Sequence, residues 1–232
     1  MQIKAIKTGI FHEDEKILPF ILKYIKRISE NSILVVTSKI IALSEGRVVE
    51  YKSKRQKIAL IKKESNFALK TKNTWLTIKD GMVMASSGID ESNANGKLVL
   101  LPKNSFKSAK ILRKKLMQNF RLKNLGVLIT DSGFLPLRVG AIGLALGYAG
   151  FKGVRNYIGE KDIFSRVLKV SRTDVADSLA TSAVLCMGEG REQRPLTIIS
   201  DAPVVFNAKT NKKEISINIK EDIYAPLFNK LN

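Results

Sequence analysis

The sequence is poor in residues on which several common chemistries depend. It has one cysteine, one histidine and one tryptophan in 232 residues. A single thiol, Cys186, excludes an intramolecular disulfide framework, and its apolar, helix-like surroundings make it a small core residue. One histidine leaves no second imidazole for a zinc site and little basis for Ser–His hydrolysis, so His12 reads as a surface or cap residue. No apolar run approaches the roughly 18 residues that a membrane-spanning helix needs. Residues Met1 to Lys7 interleave charge with apolar side chains and lack the apolar core of a signal peptide. The expected compartment is the cytoplasm, with no membrane partner. Two phosphate-binding signatures are also missing, Gly-x4-Gly-Lys-Ser/Thr and a strand-anchored Gly-x-Gly-x-x-Gly followed by a helix. Any nucleotide must be held in another way.

Positive charge, by contrast, is abundant. Lys and Arg number 40 against 21 Asp and Glu, a formal net charge of +19. Such an excess fits nucleic acid, an anionic surface or phosphorylated small molecules. Its densest stretches, Lys52 to Lys63, Lys103 to Lys123 and Lys209 to Lys220, alternate with Ile, Leu and Val at structural spacing. They read as solvated faces of helices and strands. A basic nucleic-acid-binding module is the competing class, but only 7% of residues are aromatic, too few for stacking platforms.

Periodicity predicts strands at residues 2–7, 33–37, 75–78, 82–85, 126–130, 166–170, 196–199 and 215–219. The second is a continuous apolar run and the last alternates strictly. Helices are predicted along Ile17, Ile21, Tyr24, Ile25 and Ile28, over residues 55–70, from a Ser105 cap to Phe120, and from a Thr173 cap to Met187 with Gly188 as its stop. Glycines at 140, 143, 147 and 150 suit a strand pressed against another backbone or a ligand. Strands and helices mix without a βαβ repeat, so the expected class is α+β, with mixed or antiparallel sheets and packed helices.

Two acidic motifs stand out: Ser87-Gly88-Ile89-Asp90-Glu91-Ser92-Asn93 and Thr130-Asp131-Ser132-Gly133. Each places an Asp beside Gly and hydroxyl residues just after an apolar run, where a chain leaves a strand. Asp90 and Asp131, with the hydroxyls of Ser92 and Ser132 and the Asn93 amide, are hard donors suited to Mg²⁺ or Mn²⁺ rather than zinc. The bland alternative is that both Asp residues only organise turns. Met187-Gly188-Glu189-Gly190-Arg191-Glu192-Gln193 could add a carboxylate and close-approach amides to a phosphate site, or simply cap a helix. Thr37-Ser38-Lys39 ends the buried strand, and Lys39 could meet a phosphate as a point charge or be a surface lysine.

These stretches occur in a telling order. The run Leu34 to Val49 containing Thr37-Ser38-Lys39 comes first, then Ser87 to Asn93, Leu100 to Lys103, Gly126 to Ser132, Tyr157 to Asp162, and Thr173 to Ala180 continuing into Met187-Gly188-Glu189. Together they resemble the coenzyme F420-0:γ-glutamyl ligase family, including bacterial relatives assigned to folate glutamylation. The likeness covers residues 1 to about 205, as one domain or two intertwined subdomains, and leaves 206–232 as a C-terminal extension without a reading. It implies a homodimeric enzyme that uses GTP or ATP and Mg²⁺ or Mn²⁺ to add L-glutamate to a carboxylate of an anionic pterin (folate-type) or deazaflavin (coenzyme F420-0-type) acceptor.

By position, Asp90, Asp131, Ser132 and Glu189 would meet the metal. Ser38, Lys39, Asn93 and the loop with Gly188 and Gly190 would touch the nucleotide. Lys39 and Arg138 would add positive charge at the reacting phosphate. The resemblance also carries departures. The family's coenzyme F420 branch reads Asp-Thr-Phe-Gly-Arg-Pro-Trp-Arg where this chain has Asp131-Ser-Gly-Phe-Leu-Pro-Leu-Arg138, which bears on the acceptor and leans the expectation to a folate type. Leu43 replaces a nucleotide-contacting lysine.

Overall fold

The computed structural model describes residues 1–228. The chain begins with β1 (Gln2–Ile6), α1 (Ile17–Tyr24), β2 (Ser32–Thr37) and α2 (Ser38–Ser44). A smaller lobe follows, made of β3 (Val48–Val49), α3 (Lys54–Lys63), β4 (Phe67–Lys70), β5 (Trp75–Lys79), β6 (Met82–Ala85), a 3-10 turn at Ser86–Gly88 and β7 (Leu98–Val99). The chain then returns through α4 (Ser105–Phe120), β8 (Leu125–Phe134), β9 (Ala141–Ala149), β10 (Val154–Asn156), β11 (Arg172–Asp174), α5 (Val175–Met187), β12 (Leu196–Ser200) and α6 (Ala225–Phe228). No helix among the described residues is long and apolar enough to cross a membrane.

The main sheet has five strands in the order β1-β12-β2-β8-β9. Only β2 and β8 run parallel; the other neighbours are antiparallel. The continuous apolar run of β2 is explained by helices on both faces. Leu34, Val36, Val127 and Ile129 pack in a cluster with Ile21 of α1 and Leu112 and Leu116 of α4. Ile33, Val35 and Leu128 face the other way, onto Ala176, Leu179, Ala180 and Ala183 of α5. The fold is therefore α+β, as the sequence implies. In the smaller lobe Ile61, Ile89, Leu98 and Leu100 form a third cluster.

The glycines of β9 hold the helices close. A Cβ on Gly143 would lie 2.3 Å from the Ala180 carbonyl oxygen in α5, and one on Gly147 2.5 Å from the Phe106 nitrogen at the start of α4. The strand is thus pressed between two helix backbones, one on each face.

Several local expectations change, mostly for want or gain of a strand partner. The predicted helix over 55–70 stops at Lys63, where the Ser65 hydroxyl donates back to the Ile61 carbonyl at 2.9 Å. Phe67–Lys70 instead pairs with β5. Residues 166–170 form no strand; only a bridge between Lys161 and Val167 occurs there. Residues 215–219 also stay irregular, since no strand lies beside them and Asn211 and Asn218 side chains accept bonds from nearby backbone. Helix α1 ends at Tyr24, although Ile25 and Ile28 beyond it are still buried.

Two caps shift by one residue. Asn104, not Ser105, accepts from the Lys107 amide at 2.9 Å, and Asp174, not Thr173, accepts from the Asp177 amide at 2.9 Å. Both are strong acceptors already at the required extended position. After β12, Glu214 accepts from the Tyr148 hydroxyl at 2.5 Å and the Gly153 amide at 2.6 Å, and Ile215 packs on the α5-side core. Residues 229–232 of the predicted extension lie outside the described residues.

One buried acid in α5 affects stability. Asp177 accepts from the Ala145 amide at 2.7 Å. Burial pushes its carboxyl up to about 6, and neighbouring Asp174 adds to the rise. A carboxyl raised on folding makes the folded state take up a proton more readily, so stability grows as pH falls from 7 towards 5. Asp177→Asn keeps the acceptor oxygen and removes the charge. It should raise Tm at pH 7–8, raise it less at pH 5 and change it little below about pH 4; an equal shift at all three values, read by thermal denaturation, would discount the electrostatic cause.

Candidate active site

Parallel strands β2 and β8 end their pairing at Thr37 and Thr130. Adjacent C-terminal ends of parallel strands leave a crevice in which α/β sheets commonly hold ligands. Here β2 passes directly into α2, so Ser38 and Lys39 stand on its first turn. Beyond Thr130, β8 has only β9 beside it, and its free edge borders a cavity of about 640 Å³. A bulge in the β8–β9 pairing lies between Ile129 and Thr130, a common device beside functional sites.

This corrects the expectation that Asp131 follows a strand end. Asp131 and Ser132 are inside β8, and successive strand residues point to opposite faces. Asp131 turns to α2, where the Ser38 hydroxyl and the Ser132 backbone amide favour its charged form. Ser132 turns to the end of α5 and donates from Oγ to Glu189 Oε1 at 2.6 Å.

Asp90 arrives from the smaller lobe by a strained turn. Ser86, Ser87 and Gly88 have φ of 49°, 59° and 67°, the left-handed region that non-glycine residues seldom occupy. Bonds from the Ser87 amide to Thr77 Oγ1 at 2.8 Å and from the Ser87 hydroxyl to the Ile61 carbonyl at 2.9 Å hold it there. Asp90 then bridges Val99 through both backbone groups. Its neighbour Glu91 faces away, accepting from the Tyr51 hydroxyl at 2.8 Å and pairing with Lys57 at 3.0 Å.

Lys39 closes the gap between the two acidic motifs. Its Nζ lies 2.6 Å from Asp90 Oδ2 and donates to the Ser92 carbonyl at 2.9 Å and the Ser92 hydroxyl at 3.1 Å. Ser92 also bonds Asp90 through its amide and hydroxyl, each at 2.7 Å. Burial works against ionisation of Asp90, but Lys39 and Ser92 together hold its carboxyl below the ordinary value. Asp131 fares differently. Burial pushes its carboxyl up to about 6; Ser132, Ser38 and the charge of Lys39 oppose this only partly, and the charge of Asp90 adds to it.

The donors suit a hard divalent cation. Asp90 and Asp131 are neighbouring carboxylates, and Asp131 makes no ion pair within 4.0 Å among the described residues. A cation between them would offset a charge on Asp131 that Lys39, paired with Asp90, relieves only in part. The described residues contain no ready cluster of three acidic, His or Cys side chains, and Glu189 is tied to Ser132.

The remaining wall is the loop between α5 and β12. Gly188 takes φ 81° with the Glu192 side chain against its missing Cβ. The Glu192 carboxylate accepts from the Gly190 amide at 2.8 Å. The Thr8 amide donates to the Gln193 carbonyl at 2.9 Å, and the Thr37 amide to the Pro195 carbonyl at 3.0 Å. These bonds fix a loop that brings Gly188, Glu189, Gly190, Arg191 and Arg194 to the cavity.

Of the residues expected from sequence, Ser38, Lys39, Asp90, Asn93, Asp131, Ser132, Gly188, Glu189 and Gly190 all line this one cavity. Arg138 does not; it sits exposed in the turn between β8 and β9, its amide donating to the Leu135 carbonyl at 3.4 Å. Sequence reasoning missed the apolar wall of Ile10, Phe11, Ile40 and Ile89 and the guanidinium side chains of Arg191 and Arg194. The polar loop after Gly188 signalled the latter; nothing local marked the former. His12 is exposed, and Cys186 is half-buried on α5.

Fold and site together define an α+β protein whose cavity sets carboxylates beside Lys39, Arg191 and Arg194. The model of the F420-0:Gamma-glutamyl ligase family matches residues 5–201. A coenzyme F420:L-glutamate ligase of Methanococcus maripaludis strain C7 is 36% identical over 92% of each chain. Proteins of the same name from Methanocaldococcus jannaschii and Methanosarcina mazei are 36% and 31% identical, covering 77% and 92% of this chain and 79% and 92% of their own. The chain belongs to the F420-0:γ-glutamyl ligase family and is an acid–amino-acid ligase.

Proposed function

We propose that this enzyme joins the amine of L-glutamate to a carboxylate of a coenzyme F420-0-type acceptor through an acyl phosphate, using GTP or ATP with Mg²⁺ or Mn²⁺. The observation that carries this reading is the meeting of Lys39, Asp90 and Asp131 where the pairing of β2 and β8 ends. Relatives that carry the coenzyme F420 name along nearly the whole chain favour that acceptor over the folate type.

The acceptor carboxylate attacks the terminal phosphorus of the nucleotide, releasing the diphosphate. The glutamate amine then displaces phosphate and loses a proton. The first step brings two anions together. Asp90 and Asp131 would hold the divalent cation, which supplies charge neutralisation to the phosphates. Lys39, on the first turn of α2, presents its ammonium to the same space. The apolar wall of Ile10, Phe11, Ile40 and Ile89 suits a flat ring and limits water. The net charge of +19 favours capture of anionic substrates. A nucleic-acid-binding role explains that charge but not a carboxylate-lined cavity.

The test is phosphate release with GTP or ATP, Mn²⁺ and L-glutamate, with coenzyme F420-0, dihydropteroate or tetrahydrofolate as acceptor. Release dependent on glutamate and coenzyme F420-0, with a glutamyl mass gain, is expected. Release only with a pterin would move the acceptor to the folate type, and none with folded protein would favour a non-catalytic nucleotide-binding role.

The homodimer implied by the resemblance is also a proposal. It is supported by Leu137 and Val139, which at 102% and 106% exposure are fully bare at the β8–β9 turn. Apolar side chains so placed mark interaction surfaces. Sedimentation should give a dimer, and Leu137→Glu with Val139→Glu should shift it towards monomer. A monomeric parent protein would end the idea.

A further inference from the structure

Four carboxylates line the cavity, and each is engaged by a neighbour other than an arginine. Asp90 takes Lys39 and Ser92, Asp131 takes Ser38 and the Ser132 amide, Glu189 takes the Ser132 hydroxyl, and Glu192 takes the Gly190 amide. Two guanidinium groups on the same wall are left without an anion. Arg191 and Arg194 make no ion pair among the described residues. Arg194 donates from Nη1 to the Cys186 carbonyl at 3.4 Å, which anchors it on the last turn of α5 and leaves its other donors free. Arg191 is exposed and lies beside Glu192, whose carboxylate is turned inward to the loop backbone.

The loop is built so that this imbalance persists. Glu192 packs where a Cβ on Gly188 would be, closing a tight bend. Thr8 and Thr37 hold the far side of the loop through Gln193 and Pro195. Glu192 is therefore spent on loop shape, and Arg191 projects from a fixed backbone at the cavity wall. A planar guanidinium with several N–H groups matches a carboxylate in a two-point contact. The other cavity cation, Lys39, has three bonds already made, all to the Asp90 loop.

We propose that Arg191 and Arg194 form a carboxylate-recognition site that binds the L-glutamate substrate through its acid groups, apart from the phosphate-binding side at Lys39, Asp90 and Asp131. This rests on the proposed ligase reaction in taking glutamate as the ligand. A dicarboxylic amino acid needs two cationic contacts and a free amine. Two guanidinium groups on one loop supply the first, and they leave the amine unneutralised for attack.

Two measurements test it. In the first, Arg191 is modified by phenylglyoxal, followed by mass spectrometry of the loop peptide, with L-glutamate, glutarate or tripolyphosphate as protectant. Protection by glutamate and glutarate, but not by tripolyphosphate, is expected. Protection by tripolyphosphate alone, or by none of the three, overturns the proposal. This readout does not depend on turnover: protection by glutamate in a protein that releases no phosphate with any acceptor supports the site while removing the ligase reading. In the second, Arg191→Gln and Arg194→Gln should each raise KM for glutamate about tenfold or more. KM for the nucleotide and kcat at saturating glutamate should stay within about twofold, and Arg191→Lys should recover part of the loss. A rise confined to the nucleotide KM, or no change in either KM, overturns the assignment.

Discussion

Asp131→Asn should lower phosphate release on the order of 10³-fold while leaving the fold intact. The substitution is nearly isosteric, and Oδ1 can still face the Ser38 hydroxyl and the Ser132 amide that favour the charged form of Asp131. What it removes is the charge. In the wild type that charge is unfavourable, because burial pushes the carboxyl up to about 6. Folding therefore raises the affinity of Asp131 for a proton relative to the unfolded chain. The metal-free protein gains stability from this group as pH falls from about 7 to 5, and no more once both states are protonated below about pH 4. Mn²⁺ binding should move oppositely, weakening through the same window as the carboxylate is lost. The variant, then, should bind Mn²⁺ poorly at every pH and be more stable than wild type at pH 7–8 without metal. Asp177 titrates in the same range and remains in both proteins, so the comparison is variant against wild type rather than against a flat baseline. A variant that keeps wild-type turnover, or unfolds at neutral pH, would contradict a site that stores an incompletely compensated charge for a cation.

The second large effect concerns Lys39. Replacing it with Met removes the 2.6 Å contact to Asp90 and both bonds to Ser92. Turnover should fall on the order of 100-fold, since a fixed cation near the reacting phosphate is lost. Both partners are partly exposed, so the stability cost is about 1 kcal/mol, or a Tm lower by roughly 2–4 °C for a chain this long. Addition of Mn²⁺ distinguishes the two roles of Lys39. Asp90 in the variant has no resident ammonium, so a divalent cation meets less competition there. The rise in Tm on adding Mn²⁺ should be larger in Lys39→Met than in wild type, because the shift follows the ratio of metal concentration to Kd. An equal or smaller rise would show that Lys39 and the metal do not share Asp90.

Much of the site was legible because its parts are short and local. Ser38 and Lys39 follow a buried apolar run, Asp90 and Asn93 follow a hydroxyl-rich turn, and Gly188, Glu189 and Gly190 follow a helix stop. Each signal needs only residues adjacent in sequence. The positions that misled are those whose state depends on a partner far along the chain. Phe67–Lys70 carries a helical pattern but pairs with β5. Ile215–Ile219 alternates like a strand but has no neighbour to complete a ladder. A strand's hydrogen bonds belong to two segments at once, and a pattern in one cannot report the presence of the other.

From the sequence alone follow the class of fold, the two-sided burial of β2 and the chemical nature of the donors, because periodicity, turn residues and oxygen ligands are properties of neighbouring residues. Only the tertiary structure decided how those donors are shared out. Strand alternation divides Asp131 from Ser132. A salt bridge across 51 positions joins Lys39 to Asp90, and the fold of one loop spends Glu192 on its own backbone. Charge compensation acts through space and burial, so which cation answers which carboxylate, and which guanidinium is left over, was settled only when the end of β2, the middle of β8 and the turn at Asp90 came together.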